Sequence, residues 1–74
     1  RNWKALLQDY CQKKFQQTPV YQVLQATGPD HSKTFEIAVL LNENEMGRGQ
    51  GGSKKEAQQA AAEDALSKCG ELNG

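Results

Sequence analysis

Two glycines one residue apart, Gly47 and Gly49, stand shortly before a stretch holding Ala57, Ala60, Ala61, Ala62 and Ala65. No other feature constrains the fold of this chain as much. Residues two apart on an extended segment share a face, so both glycines leave the same side of a strand bare, open to close approach by a backbone or a helix. Alanine is the strongest helix former and gives a helix a slim side. Residues 45–50 therefore read as a strand, and Ser53 to Cys69 as a helix shaped for close packing. The helix ends agree with this. Ser53 and Glu56 have the S-x-x-E spacing of a capping box, and Gly70 stands where a left-handed C-terminal cap belongs.

Upstream, residues 2–15 read as a helix with Asn2 as N-cap. Trp3, Leu6, Leu7, Tyr10 and Cys11 recur at helical spacing. Lys13 and Lys14 fall in the last turn, where cations suit the helix dipole, and Thr18-Pro19 is expected to end the element. Val20 to Ala26 reads as a strand closed by the Gly28-Pro29-Asp30 turn signal. From Thr34 to Asn42, Phe35, Ile37, Val39 and Leu41 alternate with Glu36, Ala38 and Leu40 at the period of a strand. Asn42-Glu43-Asn44 supplies a short turn.

The predicted fold is α+β: α-β-β-β-α, a three-stranded antiparallel sheet with two helices packed on one face. It buries Leu6, Tyr10, Phe35, Ile37, Val39 and Leu66. A chain of 74 residues has room for one small core, which buries about 60% of the surface the unfolded chain exposes. The expected domain is residues 1–70, with 71–74 a frayed tail. Multi-domain enzymes and repeat arrays are excluded by length. No apolar run approaches the roughly 18 residues of a membrane helix, so no membrane partner is expected. The start at Arg1 without a signal-peptide pattern reads as a piece of a longer protein.

Nine Lys and Arg balance nine Asp and Glu, so the overall basicity common in nucleic-acid binders is missing. The distribution is less even. Arg48, Lys54 and Lys55 fall in a stretch without acids between Gly47 and Lys55, whereas Glu56, Glu63, Asp64 and Glu71 follow with only Lys68 among them. A local positive site acts over a few ångströms whatever the total. Lys54 and Lys55 also break a local rule: at the positive end of a helix dipole each cation costs about 0.3–1 kcal/mol. Such violations mark functional sites, and a bound phosphate removes this one, because amides, dipole and lysines would all face an anion. The plainer alternative is a pair of solvated surface lysines.

Lys4, Gln8 and Gln12 lie four apart and share a helical stripe. The two glutamine amides suit ribose 2′-hydroxyls and base edges, although nine glutamines in the chain make ordinary polar surface a fair rival. His31, in the hairpin loop, is either simply exposed or a short probe on a rigid tip. The segment GRGQGGSK has two glycines at Walker A spacing, but Ser53-Lys54 reverses the required order. The G-x-x-G from Gly49 to Gly52 follows a strand, not the helix that a KH loop needs. No nucleophile has a spaced base and no carboxylates pair about a pocket, so a catalytic role is not expected. Cys11 and Cys69 sit in no metal-binding spacing and read as two buried thiols of a reduced, cytoplasmic protein.

In combination, Pro19-Val20-Tyr21 opening the first strand, Gly28-Pro29-Asp30-His31 in the hairpin, Phe35 to Val39 in the second strand, and G-x-G-x-G-x-S-K-K-E-A from Gly47 to Ala57 resemble the double-stranded RNA-binding domain. Within that family the chain looks most like the C-terminal domain of bacterial ribonuclease III. The resemblance covers about residues 3 to 69. It implies a footprint of about 16 base pairs read mainly by shape. Gln8 and Gln12, with Lys4 nearby, would reach one minor groove, and Pro29, Asp30 and His31 the next. Ser53, Lys54 and Lys55 would hold phosphates across the intervening major groove. Gln58 stands where many relatives carry a third lysine, and Ala5 offers no polar group on the first helix; both departures weaken non-specific affinity.

The resemblance further implies a parent nuclease whose separate domain uses magnesium. This chain itself is expected to be non-catalytic and monomeric, to need no cofactor and to bind double-stranded RNA. A homodimeric parent is compatible with the resemblance. The alternative function is the same fold used as a protein-interaction or dimerisation module.

Overall fold

The alternating run at the centre of the chain becomes the middle strand of a sheet. In the computed structural model, described over residues 1–70, the order is α1 (Trp3–Phe15), β1 (Val20–Thr27), β2 (Thr34–Leu41), β3 (Asn44–Gly51) and α2 (Lys54–Lys68). The strands form one antiparallel sheet in the order β1-β2-β3. Both helices lie on one face, burying Ile37 and Val39 of β2. The α-β-β-β-α architecture follows the sequence pattern; the expected frayed tail, 71–74, lies outside the described residues.

Close approach of α2 to β3 organises the packing. A Cβ on Gly49 would lie 2.5 Å from the Ala60 carbonyl carbon, one on Gly47 2.6 Å from the Ala65 amide, and one on Gly51 2.7 Å from the Ala57 amide. Gly51 thus extends the bare stripe to three positions. Two strand residues span about 6.6–6.8 Å and one i to i+4 step of helix about 6 Å. Glycines two apart therefore meet alanines four apart along the whole contact, and Ala57, Ala61 and Ala65 are fully buried there.

Two extra residues break the strand alternation. Pairing shifts at Leu24 in β1 and at Met46 in β3. Because of the second bulge, Met46 and Gly47 both turn toward the helices: Met46 packs on the core with its sulfur 3.9 Å from the Cys11 thiol. Glu45 and Arg48 then share the outer face, which residues three apart on a regular strand would not do. There Arg48 grips Glu45 through two hydrogen bonds of 2.7 and 2.9 Å and lies 3.8 Å from Glu36. The Arg48 backbone N–H, on the sheet edge, donates to Asp64 of α2 at 2.9 Å, so that edge donor is occupied instead of open for pairing.

Several sequence expectations are corrected. Leu6 is not core: it is 43% exposed, and Leu7 with Cys11 forms the buried line of α1 instead. The reason is that α1 leans chiefly on α2, which selects a narrower i, i+4 stripe. Helix α1 ends at Phe15, as expected, but what ends it is Gln16, ahead of Thr18-Pro19: its left-handed backbone (φ 58°) is supported by its side-chain amide donating to the Lys13 carbonyl. The capping box is half made. Ser53 Oγ accepts from the Glu56 N–H at 3.1 Å, but Glu56 reaches past the cap to the Gly52 N–H. Cys11 is buried, whereas Cys69 at the α2 C-cap is only half-buried. The Asn42-Glu43 turn has both residues left-handed, at φ 54° and 68°, so Asn44 already belongs to β3. Gly70 adopts the expected left-handed cap at φ 81°.

Candidate nucleic-acid interface

The start of α2 is the most distinctive surface feature. Ser53 is extended (φ −142°, ψ 161°) and its side chain is spent on the Glu56 amide. Lys54 and Lys55, in the first turn, have no intrahelical acceptor for their own N–H groups, and no other acceptor serves them among the described residues. Both side chains are exposed. The Lys54 ammonium rests 6.0 Å from the centroid of the half-buried Phe35 ring, which holds it beside the helix end.

Four of the other seven cations are tied up in ion pairs. Lys13 pairs with Asp9 at 3.0 Å, Lys33 with Asp30 at 3.8 Å, Lys68 with Asp64 at 3.0 Å, and Arg48 with Glu45 at 2.7 Å. Lys54 and Lys55 have no carboxylate within ion-pair distance among the described residues. The run of three cations foreseen between Gly47 and Lys55 therefore reduces to two, because Arg48 is taken by the outer face. The Arg48 hydrogen bond holds the Glu45 carboxyl below its usual range, and Glu45 raises the Arg48 guanidinium in turn. At Asp64, burial pushes the carboxyl up, but the Arg48 N–H and Lys68 outweigh it, and the net shift is downward.

On α1, Gln8 and Gln12 are exposed and line a shallow groove with Ala5 and Asp9. Lys4 does not stand out beside them. Its ammonium donates to Gln58 Oε1 at 2.7 Å and sits 5.0 Å over the Tyr21 ring, so the stripe of three divides into two outward amides and one cation in the α1–α2 seam. Lys4 and Gln58, both expected at RNA, engage each other, which leaves the Gln58 amide nitrogen without a partner among the described residues. Beneath Lys4, burial and, secondarily, nearby Cys11 push the Tyr21 hydroxyl up to about 12.

The third region is the β1–β2 loop. Ser32 N–H donates to the Pro29 carbonyl at 2.9 Å, which puts Asp30 and His31 at the two central positions of a tight turn. Gly28, at φ 99°, provides the backbone entry, where a side chain would also strike the Ser32 carbonyl at 2.7 Å. Pro29, Asp30 and His31 are all exposed, and the Lys33–Asp30 pair braces the tip.

One residue that the sequence pattern does not reveal is Gln59. Its Oε1 accepts from the N–H groups of Trp3 (2.7 Å) and Lys4 (3.3 Å), and its Nε2 donates to Asn2 Oδ1 (3.0 Å). The available signal is indirect: the first turn of α1 has no acidic residue, which leaves its orphan amides to an outside acceptor.

Comparison with known proteins decides what this arrangement is. The double-stranded RNA binding motif family matches residues 3–69. The chain belongs to that family. Ribonuclease 3 of Protochlamydia amoebophila (strain UWE25) is 72% identical over 68 residues, spanning 92% of this chain and 28% of the relative. Ribonuclease 3 of Campylobacter jejuni subsp. doylei is 51% identical over 72 residues, spanning 97% and 32%. The double-stranded RNA binding motif here thus spans less than a third of the curated relatives it matches. Among solved structures, Arabidopsis HYL1 superposes with a TM-score of 0.79 at 35% identity, covering 93% of this chain and 97% of that one. Dicer from Pichia stipitis gives 0.72 at 28% identity, covering 88% and 31%.

Proposed function

We propose that this domain binds double-stranded RNA by shape and serves as the substrate-binding module of a ribonuclease III-type endoribonuclease. The observation that carries the reading is the pair Lys54 and Lys55: two ammonium groups that, among the described residues, have no carboxylate partner and stand beside unbonded amides at a helix start, an arrangement that a phosphate backbone completes. Gln8 and Gln12 would meet 2′-hydroxyls and base edges in one minor groove. Pro29, Asp30 and His31 would enter the next, with the α2 lysines and Ser53 across the phosphates between them. The Gln58 amide nitrogen adds a neutral donor one turn past Lys54.

In this reading the domain supplies binding. Among the described residues, no group of three or more His, Cys, Asp and Glu side chains comes together to hold a metal. Cleavage belongs to the remainder of a longer parent.

Titration with duplex RNA and duplex DNA at two salt concentrations tests this. Two to three phosphate contacts give a log–log salt slope of about −2 to −3, with RNA preferred. Equal affinity for both duplexes would refute 2′-hydroxyl recognition. Lys54→Ala with Lys55→Ala should leave the fold intact and lower affinity by at least about tenfold, since a charge-assisted contact is worth roughly 1.5–3 kcal/mol; unchanged binding removes the helix-start mechanism.

One observation favours the dimerisation reading: β1 lies at a sheet edge with Val20 62%, Val23 45% and Leu24 39% exposed. Self-association in sedimentation, with no shift of duplex RNA in a gel, would decide for it.

A further inference from the structure

Helix α1 meets the core along a narrow face: Leu7 and Cys11, one turn apart on the same side, are buried, and Trp3 and Tyr10 pack half-buried beside them. Such a contact fixes the distance of the helix from the core but resists rotation about its own axis weakly. Gln8 and Gln12 project from the outward side, about 5–6 Å from that axis. A roll of ~20° would carry their amides about 2 Å, whereas a binding group has to be held within about 0.5 Å and 10–20° to remain productive.

Besides the Lys4–Gln58 hydrogen bond, what opposes the roll is a clamp between the first turn of α1 and α2. The Gln59 side chain uses both ends of its amide at once: its oxygen bridges two successive N–H groups, Trp3 and Lys4, and its nitrogen holds Asn2. Asn2 Oδ1 in turn accepts the Ala5 N–H at 3.1 Å, so the cap of α1 and the attachment to α2 are one hydrogen-bonded unit. Three bonds in different directions define orientation as well as contact. Gln59 stands five residues beyond Lys54 on the same rigid helix, which itself rests on the bare stripe of β3. The clamp therefore fixes α1 relative to the α2 lysines.

We infer that Gln59 is a positioning residue for duplex binding: without touching RNA, it sets the orientation of Gln8 and Gln12 relative to Lys54 and Lys55. This rests on the duplex-RNA reading above. It assigns to a half-buried side chain an effect on affinity that acts through α1 alone.

Gln59→Met keeps the side-chain length while removing both polar ends. Its effect is read as affinity for a 20-base-pair RNA duplex in three backgrounds: wild type, Gln8→Ala with Gln12→Ala, and Lys54→Ala. Each protein is assayed at a temperature where its thermal melt shows it fully folded. The substitution should weaken binding five- to tenfold in the wild-type and Lys54→Ala backgrounds. It should weaken binding less than twofold where Gln8 and Gln12 are already gone, with the salt slope unchanged throughout. Asn2→Ala, which breaks one arm of the clamp together with the cap bond to the Ala5 N–H, should show the same pattern at two- to threefold. Equal losses in all three backgrounds would reduce Gln59 to a general structural role, and no loss in the wild type would remove its role altogether. Failure of the wild-type protein to bind duplex RNA would instead overturn the underlying functional reading, and this inference with it.

Discussion

Gly49→Ala puts the close approach of α2 to β3 to its hardest test. The added Cβ would lie 2.5 Å from the Ala60 carbonyl carbon, from the Ala60 Cβ and from the Ala61 nitrogen. Non-bonded carbons settle at about 3.5–4.0 Å, so the facing surfaces must separate by roughly 1 Å. Two of the three obstructing atoms are backbone and cannot rotate away. Either α2 lifts, loosening the contacts of Ala57, Ala61 and Ala65, or β3 bows out of the sheet. Overpacking of this kind costs about 1–3 kcal/mol, partly offset by the ~0.5–1 kcal/mol that alanine gains over glycine in a regular element. A rigid obstruction belongs at the upper end, giving a net loss of about 2 kcal/mol. For a domain of this size that lowers the melting temperature by about 8–16 °C. Thermal denaturation followed by circular dichroism measures it. Gly52→Ala is the matched control, because its Cβ would meet nothing nearer than Glu56 Oε1 at 3.6 Å; it should melt within a few degrees of the wild type. Equal melting of Gly49→Ala and wild type would show that the helix–strand contact has slack and would refute the argument.

Glu43→Gly should stabilise the domain by about 0.5–1 kcal/mol, read from the same melts. Glu43 occupies the second left-handed position of a two-residue hairpin turn, where a side chain costs roughly 1–2 kcal/mol and glycine is preferred. Alkaline titration should show tyrosine ionisation coupled to unfolding. Burial raises the Tyr21 hydroxyl to about 12 from the ordinary 10. Its contribution to stability is therefore complete below pH 10 and lost as pH rises from there through 12. Tyr21→Phe should flatten that dependence, as measured by stability against pH.

The parts of the fold legible in the sequence are those encoded by near neighbours. The alternation of Phe35, Ile37, Val39 and Leu41 gives β2, Ser53 and Gly70 bracket α2, and Gly47 with Gly49 announces the helix that rests on them. What escapes is set by residues distant in sequence. Whether Leu6 or Leu7 faces inward depends on how α1 leans on α2, a choice that helical spacing leaves open. The extra residue at Met46 moves Glu45 to the face of Arg48, removing a cation that charge counting assigns to the binding surface. Lys4 follows helical periodicity onto the stripe of Gln8 and Gln12, yet Gln58, 54 residues away, draws its ammonium into the seam. Lys54 and Lys55 remain visible throughout because their signal is local: cations in a first helical turn, where the dipole disfavours them.

The bare stripe of β3 also determines where the molecule can yield. With no side chains between Gly47, Gly49, Gly51 and the alanines of α2, there are no rotamers to exchange, so the sheet and α2 form a stiff frame. In the binding mode proposed above, α1 is clamped to the same frame through Gln59, so accommodation of an irregular duplex, one with a mismatch or a bulged base, would have to come from the β1–β2 tip. The lysine pair and α1 would then act as the fixed reference, with compliance reserved for the loop contact.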